Sequence, residues 1–135
     1  QTFYPLIPQK WRNVIEPHYA MLETRYSTAG IRKSPNGWEW RSLGKVFSLS
    51  EIEVYGFPAW NHSGYALGAD CQFPIFRNAG SRIRRRESGV RADWWLRTVM
   101  DGYDGYACDV YNTGTTGEHN ASYQGGALPC FRVGV

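Results

Sequence analysis

Apolar and polar positions along the chain fall into three regimes. Residues 9–26, QKWRNVIEPHYAMLETRY, place Trp11, Val14, Ile15, Tyr19, Leu22 and Tyr26 mostly three or four apart, the spacing of one helical stripe. The spacing predicts one long helix here, with Pro17 as a kink or restart, because proline lacks an amide donor and crowds the preceding turn. Residues 27–44 carry Gly30, Pro35, Asn36 and Gly37 and read as a surface excursion with a turn at Pro35-Asn36-Gly37, anchored at its far end by Trp38 and Trp40. In 43–56, residues 45–49 read as a short strand, and Ser50 with Glu53 three residues on has the capping-box pattern that opens a short helix, with Gly56 as its stop. Residues 57–81 hold Pro58, Gly64, Gly68, Pro74 and Gly80 and read as mostly loop, with Phe73, Ile75 and Phe76 plugging the core.

The final third switches to a period of two. DWWLRTV (93–99) and YACDVYN (106–112) are strand-like, TGTTG (113–117) is a turn, and 127–135 closes as another strand. Along 106–112, alternation puts Cys108 and Val110 on the core face and Asp109, Tyr111 and Thr113 on the other. Trp94 and Trp95 then point to opposite faces, which predicts a central strand covered on both sides. The expected class is α+β: one long helix, one short helix and a small twisted antiparallel sheet joined by many long loops.

At 135 residues the chain is one domain's worth, read as a helix and excursion (1–42), a scaffold (43–100), a binding segment (101–126) and a closing strand (127–135). Its 42% hydrophobic and 20% charged content describe a globular chain, and no apolar run approaches the ~18–20 residues of a membrane span. Six Trp, nine Tyr and six Phe supply enough apolar area for a core without metal or disulfide. A formal charge of +3 is too small to announce nucleic-acid binding. Its distribution says more: seven arginines lie between Arg77 and Arg97 against Glu87 and Asp93, whereas 101–126 has no Lys or Arg. Cys71, Cys108 and Cys130 form no CxxC knuckle and read as free core thiols. A chain opening on Gln1 is expected to be a processed form or the C-terminal part of a longer protein.

Catalytic signatures are absent: there is no GxSxG elbow, HExxH, Walker loop or GxGxxG, and His18, His62 and His119 are far apart in sequence. His62-Ser63-Gly64 is explained by a polar turn, and Glu53 by its capping role. Asp101, Asp104, Asp109, Asn112 and Glu118 offer oxygen ligands, but their spacing fits no calcium loop, so no metal or cofactor is expected. The run Arg82 to Arg86 lacks interleaved aromatics and is expected to serve packing or subunit contact, with no nucleic-acid partner. Residues 101–126, with four Tyr, six Gly, three Asp, three Thr and two Asn, have the composition of an antibody-like paratope or of a polar hairpin whose tyrosines pack inward. The ligand-contacting residues read from this segment are Tyr103, Asp104, Tyr106, Asp109, Tyr111, Thr113, Thr115, His119 and Tyr123, with Tyr106 placed by strict alternation on the Cys108 side.

The order LGKVFSLSEIEVYG, QFPIFRN, RIRRR, RADWWLR, ACDVYNTG and LPCFRVG, over residues 43–135, resembles an uncharacterised domain family of phages and prophages of gut bacteria. The resemblance implies a C-type-lectin-like fold at the C-terminus of tail or surface proteins. It also implies kinship with the variable proteins of diversity-generating retroelements, whose adenine-directed mutagenesis draws on a codon palette that 101–126 nearly follows, Glu118 and Gln124 excepted. The lectin triplets Glu-Pro-Asn, Gln-Pro-Asp and Trp-Asn-Asp do not occur, so calcium-mediated sugar binding is not carried over. The implied role is a non-enzymatic adhesin of a phage tail fibre or tail tip, in the virion tail. Its partners would be a host cell-surface protein or glycan and other tail proteins, in a chain suited to a homotrimer without membrane insertion. The alternatives are an oxidase of the formylglycine-generating type using Cys108 and Cys130, a glycan hydrolase, or an interaction module on the bacterial cell surface.

Overall fold

The computed structural model describes residues 3–27, 30–31, 37–61 and 72–134. The expected turn residues Pro35 and Asn36, the His62-Ser63-Gly64 segment and Cys71 lie outside the described residues. After a 3-10 turn at Tyr4–Leu6 comes a single helical turn, α1 (Gln9–Arg12), and then strands β1 (Ile15–Glu16), β2 (His18–Thr24), β3 (Tyr26–Ser27), β4 (Gly30–Ile31) and β5 (Gly37–Gly44). Helix α2 (Glu51–Tyr55) follows, then 3-10 turns at Pro74–Phe76 and Ala79–Arg82, and strands β6 (Arg84–Arg85), β7 (Arg91–Ala92), β8 (Trp94–Val99), β9 (Tyr106–Val110), β10 (Thr116–Asn120) and β11 (Arg132–Val133). All strand pairings are antiparallel: β2 with β5, β3 with β4, β1 with β11, β6 with β7, and a three-stranded sheet in the order β10-β9-β8.

This is a mainly β fold, and it overturns the expected α+β class with its long helix and C-type-lectin-like arrangement. Among the described residues the longer of the two helices, α2, has five residues. The helical stripe at 9–26 is real as a pattern, but Pro17 splits it and a helix as short as α1 gains little against the cost of nucleation. The segment after Pro17 instead pairs with the expected surface excursion, from His18 opposite Gly44 to Thr24 opposite Gly37. The partner strand lies some twenty residues away, where a local pattern cannot register it. The strand expected at 45–49 reduces to a bridge between Phe47 and Cys130, and the closing strand to that bridge and β11.

Helix α2 forms where the capping box places it. The Glu53 amide donates to Ser50 Oγ at 3.2 Å, the Ser50 amide donates to Glu53 Oε2 at 2.8 Å, and Gly56 closes the helix at φ 82°, a left-handed value that favours glycine. The Glu53 carboxylate also takes both ends of the Arg97 guanidinium, at 2.7 and 2.8 Å, and Arg97 Nη1 reaches the Ser48 carbonyl at 2.7 Å. Next to it, Glu51 is wholly buried, accepts amides of Trp60 and Asn61 at 2.9 and 3.2 Å, and so fixes the chain leaving the helix. Burial raises its carboxyl above the ordinary range, and those amides oppose the shift.

The core consists of Leu49, Val54, Tyr55, Phe76, Trp94, Leu96, Cys108 and Val110, with Phe47 and Phe73 packed against it. The expected alternation of Cys108 and Val110 inward is met. Of the expected anchors, Trp40 and Ile75 are exposed and Trp38 is half-buried; Trp11 and Phe131 are exposed as well. In the three-stranded sheet the middle strand is β9. Strand β8 is an edge whose free side is covered by irregular chain, Trp95 N–H donating to the Gly126 carbonyl and Arg97 N–H to that of Leu49. Trp94 is buried, and Trp95 lies half-buried on the opposite face.

Two of the clustered arginines are packed inward. Arg82 donates to the carbonyls of Phe76 and Gly114 and covers the Tyr55 ring, and Arg84 covers Phe76 and Trp94. Among the described residues no helix is long and apolar enough to cross a membrane.

Two predictions follow from the core. Trp94→Ala is expected to cost ~3–5 kcal/mol in urea denaturation, and Trp95→Ala clearly less, because only the first leaves a cavity in the core. For Glu51, a carboxyl raised in the folded state holds a proton that the unfolded chain releases. Its stability contribution is therefore complete below the ordinary carboxylate pKa and is lost as pH rises through the folded value. Unfolding midpoints from about pH 4 to about pH 8 are expected to show Glu51→Gln gaining on the wild type as pH rises.

Candidate functional site

The pairing register builds a row across the sheet face opposite the core. Trp95 on β8 and Gly117 on β10 both lie opposite Asp109 on β9, and His119 lies two residues further along β10 on the same face, opposite Ala107. Period-two alternation adds Tyr111 to the same face. The chain after β10 then folds back over it. Gly125 packs so closely that a Cβ there would stand 2.7 Å from Trp95 Nε1, and Tyr123 stacks on His119 with ring centres 3.9 Å apart and planes 10° from parallel. Trp95 meets His119 and Tyr123 edge-on at 6.4 and 6.1 Å, and Tyr111 meets His119 edge-on at 5.5 Å. Four aromatic rings thus form one contiguous patch.

Two carboxylates lie under and beside this patch. The Asp109 side chain is 1% exposed, and its Oδ2 is 2.5 Å from His119 Nδ1. Among the described residues its Oδ1 has no hydrogen-bonding partner, and it lies close against Gly117, as does the Tyr111 ring. Burial raises the Asp109 carboxyl, and the His119 contact opposes that shift. Asp93 is held from two sides: the Asn112 amide donates to Oδ1 at 2.7 Å and the Tyr123 hydroxyl to Oδ2 at 2.7 Å. The second bond raises the Tyr123 phenol, and burial followed by the Asp109 charge raises that of Tyr111. The contact to Nδ1 fixes the His119 ring and leaves Nε2 as its other polar atom.

Of the nine residues expected to contact ligand, Asp109, Tyr111, His119 and Tyr123 come together here. Thr113 and Thr115 are exposed in the β9–β10 turn, their hydroxyls 2.9 Å apart. Tyr103 and Asp104 are exposed in the loop before β9. Tyr106 has the parity of Cys108 and packs edge-on to Tyr103 at 5.4 Å, at the far end of the strand from the turn. The sequence reading assigned Trp95 to the scaffold and overlooked Asp93. Alternation against Trp94 was the available signal for Trp95, but Asp93 enters through the Tyr123 loop, which no spacing announces. Of the oxygen donors weighed for calcium, Asp109 alone joins a cluster that could hold a metal among the described residues, and its companions are Asp93 and His119. Cys108 and Cys130 are free, and burial raises both thiols, which keeps them in the unreactive form.

A family model described as a domain of unknown function, DUF6273, matches residues 1–134. No solved structure matches the chain.

Gly117 is the position on which the patch closes, since a Cβ there would run into both Asp109 Oδ1 and the Tyr111 ring. Gly117→Ala is expected to cost ~1–3 kcal/mol by overpacking. In a double-mutant cycle with Tyr111→Ala the two costs should fall short of their sum, because removing the ring relieves part of the clash. Strict additivity in chemical denaturation would mean that the two residues are not coupled.

Proposed function

We infer the role of this chain, which belongs to the DUF6273 family of domains of unknown function, from its aromatic face: it is a ligand-binding domain that recognises a receptor at a cell surface. The observation that carries the reading is the stack of His119 on Tyr123, braced by Trp95 and Tyr111. Rings locked in mutual contact offer large amphipathic area at little entropic cost on binding, and the hydroxyl, imidazole and carboxylate groups at their edges supply polar contacts. Such a surface suits a sugar ring or a protein loop. Tyr103, Asp104, Thr113 and Thr115 flank it at the two ends of β9.

In this proposal the domain is the receptor-binding end of a phage tail fibre or tail tip, with other tail proteins and further copies of itself as assembly partners. That placement comes from the sequence resemblance; a bacterial surface protein is the alternative carrier. One feature favours a second reading, hydrolysis of a glycan. A buried carboxylate that orients a half-exposed imidazole can serve general acid–base chemistry, and Asp93 is a second carboxylate close by.

The test is binding of the chain to a printed glycan array and to intact bacterial cells, with thermal unfolding run in parallel. Tyr111→Ala and Tyr123→Ala are each expected to weaken binding by roughly thirtyfold, ~2 kcal/mol, with the melting temperature little changed, and Thr113→Ala to matter much less. Binding that survives both substitutions, or losses that track unfolding, would overturn the reading. Release of a cleaved glycan, abolished by His119→Gln, would favour the hydrolase.

A further inference from the structure

We propose that Asp93, Asp109 and His119 form a binding site for a divalent cation of the zinc or manganese class. The three side chains come from the segment before β8, from β9 and from β10, and each offers one ligand atom within 4.8 Å of the others. Two carboxylate oxygens and one imidazole nitrogen are a borderline donor set, suited to zinc or manganese more than to calcium, which prefers six to eight oxygens.

The independent observation is the state of Asp109. Its side chain is 99% buried, its carboxyl faces the cluster through Oδ2, and its second oxygen has no donor. Another deeply buried carboxylate, Glu51, shows how such a group is ordinarily satisfied, with amide donors on both oxygens. Among the described residues the Asp109 carboxylate has a single hydrogen-bonding contact, the His119 ring, where a carboxylate can accept about four hydrogen bonds. Asp93 brings a second carboxylate to the same imidazole. A dication would meet both carboxylates and the ring at once.

The surroundings have the form of an outer shell. The Asn112 amide and the Tyr123 hydroxyl orient the Asp93 carboxylate, as outer partners orient metal-ligating carboxylates elsewhere, and each Asp93 oxygen keeps lone-pair capacity for an ion. Trp95, Tyr111 and Tyr123 cover the cluster with rings. In a tetrahedral shell with bonds of ~2.0–2.2 Å, ligand atoms lie ~3.3–3.6 Å apart, so the Asp109–His119 contact would open by about 1 Å as the cation inserts.

The inference concerns the same face as the receptor-binding reading but stands on the cluster alone. Its experiment uses metal without any receptor, so either reading can fail without the other. The chain, stripped with a chelator and dialysed, is titrated calorimetrically with zinc chloride and with manganese chloride, and its melting temperature is measured with and without each salt. The expected result is one saturable site for at least one of the two ions, with a raised melting temperature. His119→Gln and Asp93→Asn should each weaken it by tenfold or more, while Cys130→Ser leaves it unchanged. Absence of binding by either ion in the folded wild type would overturn the proposal. So would affinity that is unchanged in both His119→Gln and Asp93→Asn, or binding that is lost with Cys130→Ser.

Discussion

The carboxylate of Glu53 is the constraint on which most of the fold depends. It closes the capping box with the Ser50 amide, takes the Arg97 guanidinium with both oxygens, and lies 4.0 Å from His18 at the start of β2. One buried carboxylate therefore ties the helix to the edge strand β8, with the start of β2 beside it. Arg97 extends the tie to the Ser48 carbonyl, and its own amide bonds the Leu49 carbonyl, so β8 is held along its free edge by the chain that leads into the helix. Bidentate geometry matters because it fixes orientation as well as distance. With β8 held, β9 and β10 have a template, and the aromatic face is built on their register.

Two further buried carboxylates, Glu51 and Asp109, are satisfied in opposite ways. Glu51 lies on the core side and takes backbone amides, so its oxygens anchor the chain after the helix. Asp109 lies on the other face, covered by Tyr111 and His119, and is left with the imidazole as its polar partner. A buried carboxylate oxygen without a donor calls for a physical explanation, a bound ion or water among them. Since Asp109 shares its strand with core residues Cys108 and Val110, whatever acts on it is registered directly against the core.

The same economy governs the two adjacent tryptophans. Trp94 fills the core and donates its indole N–H to the Arg82 carbonyl, whereas Trp95, one residue on, forms a wall of the aromatic patch. A single strand thus supplies both the core and the aromatic patch. The glycines at 117 and 125 make the close approaches on which that surface depends, one under Asp109 and the other over Trp95. A receptor-binding role needs such stiffness: rings that already occupy their bound positions have little entropy left to lose.

Local chemistry in the sequence determined the features that rest on near neighbours. Ser50, Glu53 and Gly56 specify α2, the alternation around Cys108 and Val110 specifies the two faces of β9, and the Gly-Thr-rich run specifies the turn that follows. Composition left the tyrosine-rich segment open as either a paratope-like surface or a polar hairpin, and four of its nine nominated residues meet at one place. Tertiary structure decided the rest. The stripe at 9–26 satisfies a helical period and still becomes strand beyond its first turn, because Pro17 breaks it and β5 offers hydrogen bonds that no local window contains. The class is therefore mainly β. Asp93 and Trp95 join Asp109 and His119 through strand register and a returning loop, and both are set by pairing between residues distant in sequence. A period tells which residues share a face, but the partner brought to that face is fixed only when the whole chain has folded.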